Sequence, residues 1–281
     1  MQSGRSSIES ACSRRLTWIT LPPGTRLVKI WLACAALLAC AAPAAADSRV
    51  AHDLAEDAKL YFTAPIRWDG RDWLHAGETV ALVAIAHQYD DDVRTHFTAR
   101  MDAPLSGKDP HSARDALPAA AIVLGTWAAA FWQQNSDGYE EGREMLEAAG
   151  FSAVTTTLIK YAAQRGRPNE TADPNDWRGN GDSFPSLHTS AAFAIGTVLA
   201  ESGGDNHRWV RRFLGYGIAG ATAYARLHDN VHWLSDTVAG AAVGVATARF
   251  VMDRGAVRDR KGAFSLLPTE GGLMFTYNAA F

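Results

Sequence analysis

Three short clusters hold most of the residues whose types and spacing could do chemistry. In Lys160-Tyr-Ala-Ala-Gln-Arg-Gly-Arg167-Pro168, Lys160 falls in the last turns of an expected helix and Arg167 in the turn beyond it, held by the fixed φ of Pro168. Two cations so placed can converge on one anion, although basic residues at a helix end often only complement its dipole. In Asp182-Ser183-Phe184-Pro185-Ser186-Leu187-His188-Thr189-Ser190, a loop enters a helix. Backbone N–H groups at such an end, with the Ser186 hydroxyl, make an anion cradle with His188 at its rim. A capping serine followed by a half-exposed histidine would read the same way. The third cluster is Ala225-Arg226-Leu-His228-Asp-Asn-Val-His232-Trp-Leu-Ser-Asp236. Here Arg226 ends one helix and His232 opens the next, and a spacing of four places His232 and Asp236 on one helical face. The carboxylate can then accept the imidazole N–H and raise the basicity of the far nitrogen, as for an activated nucleophile or base. A surface pair at the same spacing is the alternative. His228, between them, reads as a loop histidine outside the site.

The elements that must position these clusters are helical. Apolar periodicity broken by Gly, Pro, Asn and Asp predicts helices near Val50–Tyr61, Gly77–Gln88, Leu117–Gln133, Glu140–Gln164, His188–Glu201, Val210–Ala225 and Leu234–Asp253. The fold class expected is all-α, a helical bundle ending in a short extended tail, because Leu273, Phe275, Tyr277, Ala279 and Phe281 alternate with period two. That tail is expected to lie against the helices. The uncharged stretch Ala116–Trp132 contains Pro118, and at 17 residues it falls below the ~20 that a bilayer span needs. A soluble bundle is therefore expected rather than a multi-pass protein. Asp90-Asp91-Asp92 lacks the spacing of a calcium loop and reads as a solvated helix end; no metal site is expected.

Composition narrows the class. With 281 residues, 47% hydrophobic and 20% charged, the chain can bury a full core and is not a disordered segment. A net charge of -3 argues against a general nucleic-acid binder. Residues 1–46 stand apart: Arg5, Arg14, Arg15, Arg26 and Lys29 precede an uncharged run from Ile30 to Ala46 that ends in three alanines. This is the pattern of a secretory signal peptide, which predicts export and leaves residues 47–281 as one domain. That domain carries 22 Lys+Arg against 29 Asp+Glu, a net charge of -7. It has no cysteine, since Cys12, Cys34 and Cys40 all precede it, so disulfide and thiol chemistry are not expected. Leu37-Leu38-Ala39-Cys40 also resembles a lipoprotein signal, in which case Cys40 becomes a lipid-bearing N-terminus that tethers the domain to a membrane.

Taken in order, Lys-x6-Arg-Pro at 160–168, Pro-Ser-x-His at 185–188 and Arg-x5-His-x3-Asp at 226–236 resemble the signature of the type 2 phosphatidic acid phosphatases. That superfamily also holds bacterial nonspecific acid phosphatases and vanadium haloperoxidases. The likeness covers about Leu117 to Asp253. The resemblance implies a phosphatase acting on phosphomonoesters or diphosphates, with phosphorylated envelope lipids and small soluble esters both as candidate substrates. It implies that Lys160, Arg167, Ser186, Leu187 (through its N–H) and Arg226 bind the phosphate. His232, oriented by Asp236, would attack phosphorus, and His188 would act as acid and then base. No cofactor is implied, and vanadate is expected to inhibit. Two positions depart from the family pattern, Leu187 where glycine is usual and Ala225 where serine is usual. Loss of one hydroxyl donor costs on the order of tenfold to a hundredfold, which bears on rate and substrate fit.

Two alternatives follow from the same residues. One is a vanadium-dependent haloperoxidase, with vanadate as cofactor on His232. The other is a non-catalytic phosphate- or lipid-binding protein, motivated by Leu187 and Ala225. Export would place the domain in the periplasm, where contact with a membrane surface is open to it; the number of copies in the assembly stays open.

Overall fold

Small residues decide where the helices sit. In the computed structural model, residues 48–99, 112–133, 136–202, 207–260, 263–269 and 272–278 are described. The expected export signal, with Cys40, and the tail residues Ala279 and Phe281 lie outside them. The chain runs through α1 (Ser48–Phe62), a 3-10 turn (Ala64–Arg67), α2 (Gly70–Gln88), α3 (Asp90–Thr98), α4 (Ser112–Gln133) and α5 (Ser136–Ala163). It continues through α6 (Leu187–Glu201), α7 (Arg208–His228) and α8 (Leu234–Arg260), then strands β1 (Ala263–Thr269) and β2 (Gly272–Asn278). Residues Asp57–Phe281 form one compact unit, and the packing described here lies within it.

Helix α6 is the centre. It packs against α5, α7 and α8, and Thr189, Ala192, Ala194, Ile195 and Val198 are all buried. A helix apolar or small on every side belongs inside a bundle. Backbones meet closely where α6 crosses α7: a Cβ on Gly196 would lie 2.4 Å from the Gly215 carbonyl oxygen, and one on Gly215 2.3 Å from that of Gly196. Helix α8 approaches the first turns of α6 in the same manner. A Cβ on Gly240 would lie 2.6 Å from the Ser186 carbonyl oxygen, and one on Gly244 2.3 Å from that of Ser190. Met145, Ala148 and Phe151 of α5 complete the core with Ala248 and Val251 of α8. Tyr61 of α1 stacks on Phe151 at 5.3 Å and bonds Thr155 and Thr247 through its hydroxyl. Elsewhere Arg254 binds Glu147 at 3.0 Å and Glu140 at 3.1 Å, with Asp57 3.6 Å away.

The helical reading holds, with corrections at its edges. Helix α2 starts at Gly70 rather than Gly77, because Asp69 and Asp72 form a reciprocal capping box. Helix α4 starts at Ser112, so Pro118 lies inside it instead of opening it. Helix α3 was not anticipated. Its first residue, Asp90, is fully buried, which overturns the reading of Asp90-Asp91-Asp92 as a solvated helix end; only Asp91 and Asp92 are exposed. The C-terminal alternation is not a lone extended tail: β1 and β2 form an antiparallel hairpin pairing Ala263 with Asn278 and Thr269 with Gly272. Among the described residues, no helix is long and apolar enough to cross a membrane.

Candidate active site

Two loops and the four helix ends they join meet around His232. Helix α5 ends at Ala163, and Gln164 takes a left-handed φ of 48° that turns the chain into the Arg165–Pro168 segment. Lys160, in the last turn of α5, donates its ammonium to the carbonyl of Ser183 at 3.1 Å and to that of Asp182. Parts of its side chain reach solvent while the ammonium is enclosed. Burial without a full counter-charge pulls the Lys160 pKa down to about 8, with Arg167 adding to the effect and Asp182 opposing it.

Arg167 forks onto Asp182, Nε to Oδ1 at 2.7 Å and Nη2 to Oδ2 at 3.2 Å. Burial alone would push the Asp182 carboxyl up. The charge of Arg167, the bonds from it and the charge of Lys160 outweigh it and hold the group well below the usual carboxylate range. Asp182 stood inside the second sequence cluster without an assigned role; its place opposite Arg167 is a tertiary fact.

Ser186 caps α6 by position only. Its hydroxyl bonds no N–H of the first turn and instead accepts the Thr189 hydroxyl at 3.0 Å, and the residue is fully buried. The Ser186 N–H donates to the Asp236 carbonyl at 3.0 Å, which ties the second cluster to the third. Leu187 and His188 follow in the first turn of α6, both half-buried, and the N–H groups of such a turn point out of the helix end. Phe184–Pro185 is a cis peptide.

The third cluster departs from the expected geometry. Arg226 lies in the last turn of α7, fully buried. The chain reverses through Asn230, at a φ of 54°, and α8 begins only at Leu234. His232 therefore precedes the helix and does not share a helical face with Asp236. Asp236, in the first turn of α8, reaches back instead. Its Oδ2 accepts from His232 Nδ1 at 3.3 Å, from the Trp233 N–H at 2.9 Å and from the Ser183 hydroxyl. A carboxylate partner assigns the proton to Nδ1 and leaves the Nε2 lone pair for chemistry. His232 is 4% exposed. Burial, then the charges of Arg167, Lys160 and Arg226, lower its pKa well below the ordinary value, so the ring is neutral.

The structure thus gathers Lys160, Arg167, Arg226 and Asp236 around His232, with Ser186 bonded to the same turn. His188 stands at the entry to α6. His228 bonds Asp229 at 3.3 Å and stacks on Tyr224, its side chain half exposed. Beside the Lys160 turn lies a shallow cavity of about 400 Å³ lined by Ile159, Ala162, Ala163, Trp177 and Arg178. Of its lining, Trp177 is exposed, as are Leu158 and Tyr161 elsewhere on α5. Among the described residues, no group of His, Cys, Asp and Glu is arranged to hold a metal ion.

Residues 142–258 match the sequence profile of the PAP2 superfamily. A lipid A 1-phosphatase of Porphyromonas gingivalis is 38% identical over 86 residues, covering 31% of this chain and 17% of that protein's length. The solved structure of Aquifex aeolicus LpxE aligns with 20% identity over 58% of this chain and 93% of its own, at a TM-score of 0.36. A transmembrane PAP2-type phosphatidylglycerolphosphate phosphatase from Bacillus subtilis aligns with 18% identity over 84% of this chain and 98% of its own, at 0.38. The matched segment, residues 142–258, holds Lys160, Arg167, the Ser186 turn, Arg226, His232 and Asp236.

Proposed function

We propose that this protein is a phosphoric ester hydrolase that removes phosphate from an envelope lipid through a phosphohistidine. The observation that carries the reading is an enclosed His232 whose Nδ1 faces Asp236 and whose surroundings hold Lys160, Arg167 and Arg226. Phosphoryl transfer asks mainly for positioning and for positive charge around the equatorial oxygens, and these three side chains supply it. The first-turn N–H groups at Leu187 and His188, with Ser186, complete the cradle. Asp182 orients Arg167.

In the first step, His232 Nε2 attacks phosphorus in line while the bond to the leaving oxygen breaks, and His188 gives that oxygen its proton. In the second, His188 takes a proton from water as the water attacks phosphorus; the N–P bond breaks and inorganic phosphate departs. The name of the Porphyromonas gingivalis relative and the apolar cavity beside Lys160 both support a lipid carrier. The pattern of residues 1–46 supports action in the periplasm.

The test is phosphate release by the full chain in EDTA from a lipid A phosphate, phosphatidate, a prenyl diphosphate and p-nitrophenyl phosphate. Turnover in EDTA, preferring a lipid and lost in His232→Ala, is expected. Turnover retained in His232→Ala would remove His232 as nucleophile, and equal use of all four substrates would remove the lipid preference.

A further inference from the structure

Behind the site lies a buried ionic relay that the three clusters do not include. Arg165, between Lys160 and Arg167 in sequence, is fully buried. Its Nη1 donates to Asp236 Oδ1 at 2.6 Å and to the Ser235 hydroxyl at 2.8 Å. Its Nη2 donates to Asp90 Oδ2 at 2.6 Å and to the Pro174 carbonyl at 2.7 Å. Trp177 and Trp233 flank the guanidinium, with ring centres 4.6 and 5.2 Å from its central carbon. Asp90, equally buried, also accepts the Ser235 N–H at 2.8 Å, the Ser235 hydroxyl at 2.7 Å and His87 Nδ1 at 2.8 Å. From His232 to Asp90 the order is imidazole, carboxylate, guanidinium, carboxylate.

This arrangement does two things to the Asp236 side chain. Arg165 occupies Oδ1, so Oδ2 is the oxygen that faces His232. A lone guanidinium at 2.6 Å would also draw charge from that carboxylate and weaken its hold on the imidazole proton; Asp90, on the opposite side of the guanidinium, offsets that pull. Asp90 at the same time grips the first turn of α8 through the Ser235 N–H, one residue before Asp236. Resting on the phosphatase reading above, we infer that Arg165 and Asp90 are positioning residues for His232, setting which Asp236 oxygen it meets and how strongly that oxygen holds the Nδ1 proton. Neither side chain touches the substrate.

The experiment compares wild type with Asp90→Asn and Ser235→Ala, all as full chains. It reads kcat, KM, inhibition by inorganic phosphate, and the proton NMR resonance of His232 Nδ1–H. For Asp90→Asn, kcat is expected to fall about tenfold, the low end of the range for groups that support a metal-binding histidine directly, since Asp236 and Arg165 stand between Asp90 and His232. KM and phosphate inhibition should stay within about threefold, as for a loss confined to the transition state. The Nδ1–H resonance should move upfield as the hydrogen bond weakens. Ser235→Ala removes one hydroxyl from the relay and should show the same two signs at smaller size; it decides the matter if Asp90→Asn does not fold. An unchanged kcat, or a parallel loss of kcat and phosphate binding with the resonance unmoved, would overturn the inference. A wild type inactive on every substrate would instead count against the phosphatase reading, and the resonance would still test the relay.

Discussion

Lys160 allows the sharpest calculation. Its pKa falls from 10.5 to about 8 because the ammonium is enclosed without a full counter-charge. At 1.36 kcal/mol per unit, that shift corresponds to about 3 kcal/mol by which folding disfavours the charged form. The sign follows from linkage. Between pH 8 and 10.5 the unfolded chain binds a proton at this position that the folded chain has lost, so this group's contribution to stability rises with pH across that window. Lys160→Met removes the penalty and also the two hydrogen bonds to the carbonyls of Asp182 and Ser183, each worth about 1 kcal/mol. The variant should therefore match or exceed wild type by about 1 kcal/mol at pH 7 in phosphate-free buffer, while losing phosphate binding. The assay is urea unfolding of both proteins from pH 7 to 10.5. Subtracting the variant cancels every other titrating group, and the wild-type advantage should grow with pH by at most about 3 kcal/mol. A variant less stable by more than 2 kcal/mol at pH 7, or a difference flat in pH, would refute the reasoning. It would mean that Lys160 is held by its carbonyl contacts and not stressed by enclosure.

Other outcomes follow from the same geometry. Asp182→Asn removes the main influence holding the Lys160 proton, so an alkaline fall in kcat/KM is expected near pH 8 in wild type and at lower pH in the variant; an unmoved limb would assign it to another group. Orthovanadate should compete with substrate and lose affinity in Arg226→Met, read as a rise in inhibition constant. Gly196→Ala places a methyl against the Gly215 carbonyl and should cost about 1–3 kcal/mol in urea unfolding, typical of overpacking. Arg254→Met leaves buried Glu147 with only Arg143, 3.7 Å away, for a partner, and about 3 kcal/mol of destabilisation is expected, the low end for breaking a buried pair, readable as a drop in Tm.

The candidate site was legible because its residues stand at short spacing: lysine and arginine seven apart, a serine and histidine at a helix entry, a histidine four before an aspartate. What escaped was contact across long separations. Asp90 and Arg165 are 75 residues apart, and three consecutive aspartates gave no sign that the first points inward. The i,i+4 rule misplaced His232, since the chain is still turning there and Asp236 meets it by reaching back from the first turn of α8. Ser183 and Ser235 carried no sequence signal, because a serine that bonds a buried carboxylate looks like any loop serine. One cue was present for α2: Asp69 and Asp72 have the spacing of a reciprocal cap, with Asp69 eight residues ahead of Gly77, where periodicity placed the helix.

The seam of Gly240 and Gly244 against Ser186 and Ser190 bears on how this protein could be altered. There α8 and the entry to α6 meet through main chain, and the Ser186 N–H closes the join on the Asp236 carbonyl. Rotamer changes cannot take up an error in such a joint, because its nearest atoms are main chain and the Cβ atoms of Thr189 and Phe193, which no rotamer moves. Directed evolution toward new substrates should therefore leave the seam alone and collect its gains at the rim, at Leu187, Ala225 and the wall from Ile159 to Trp177.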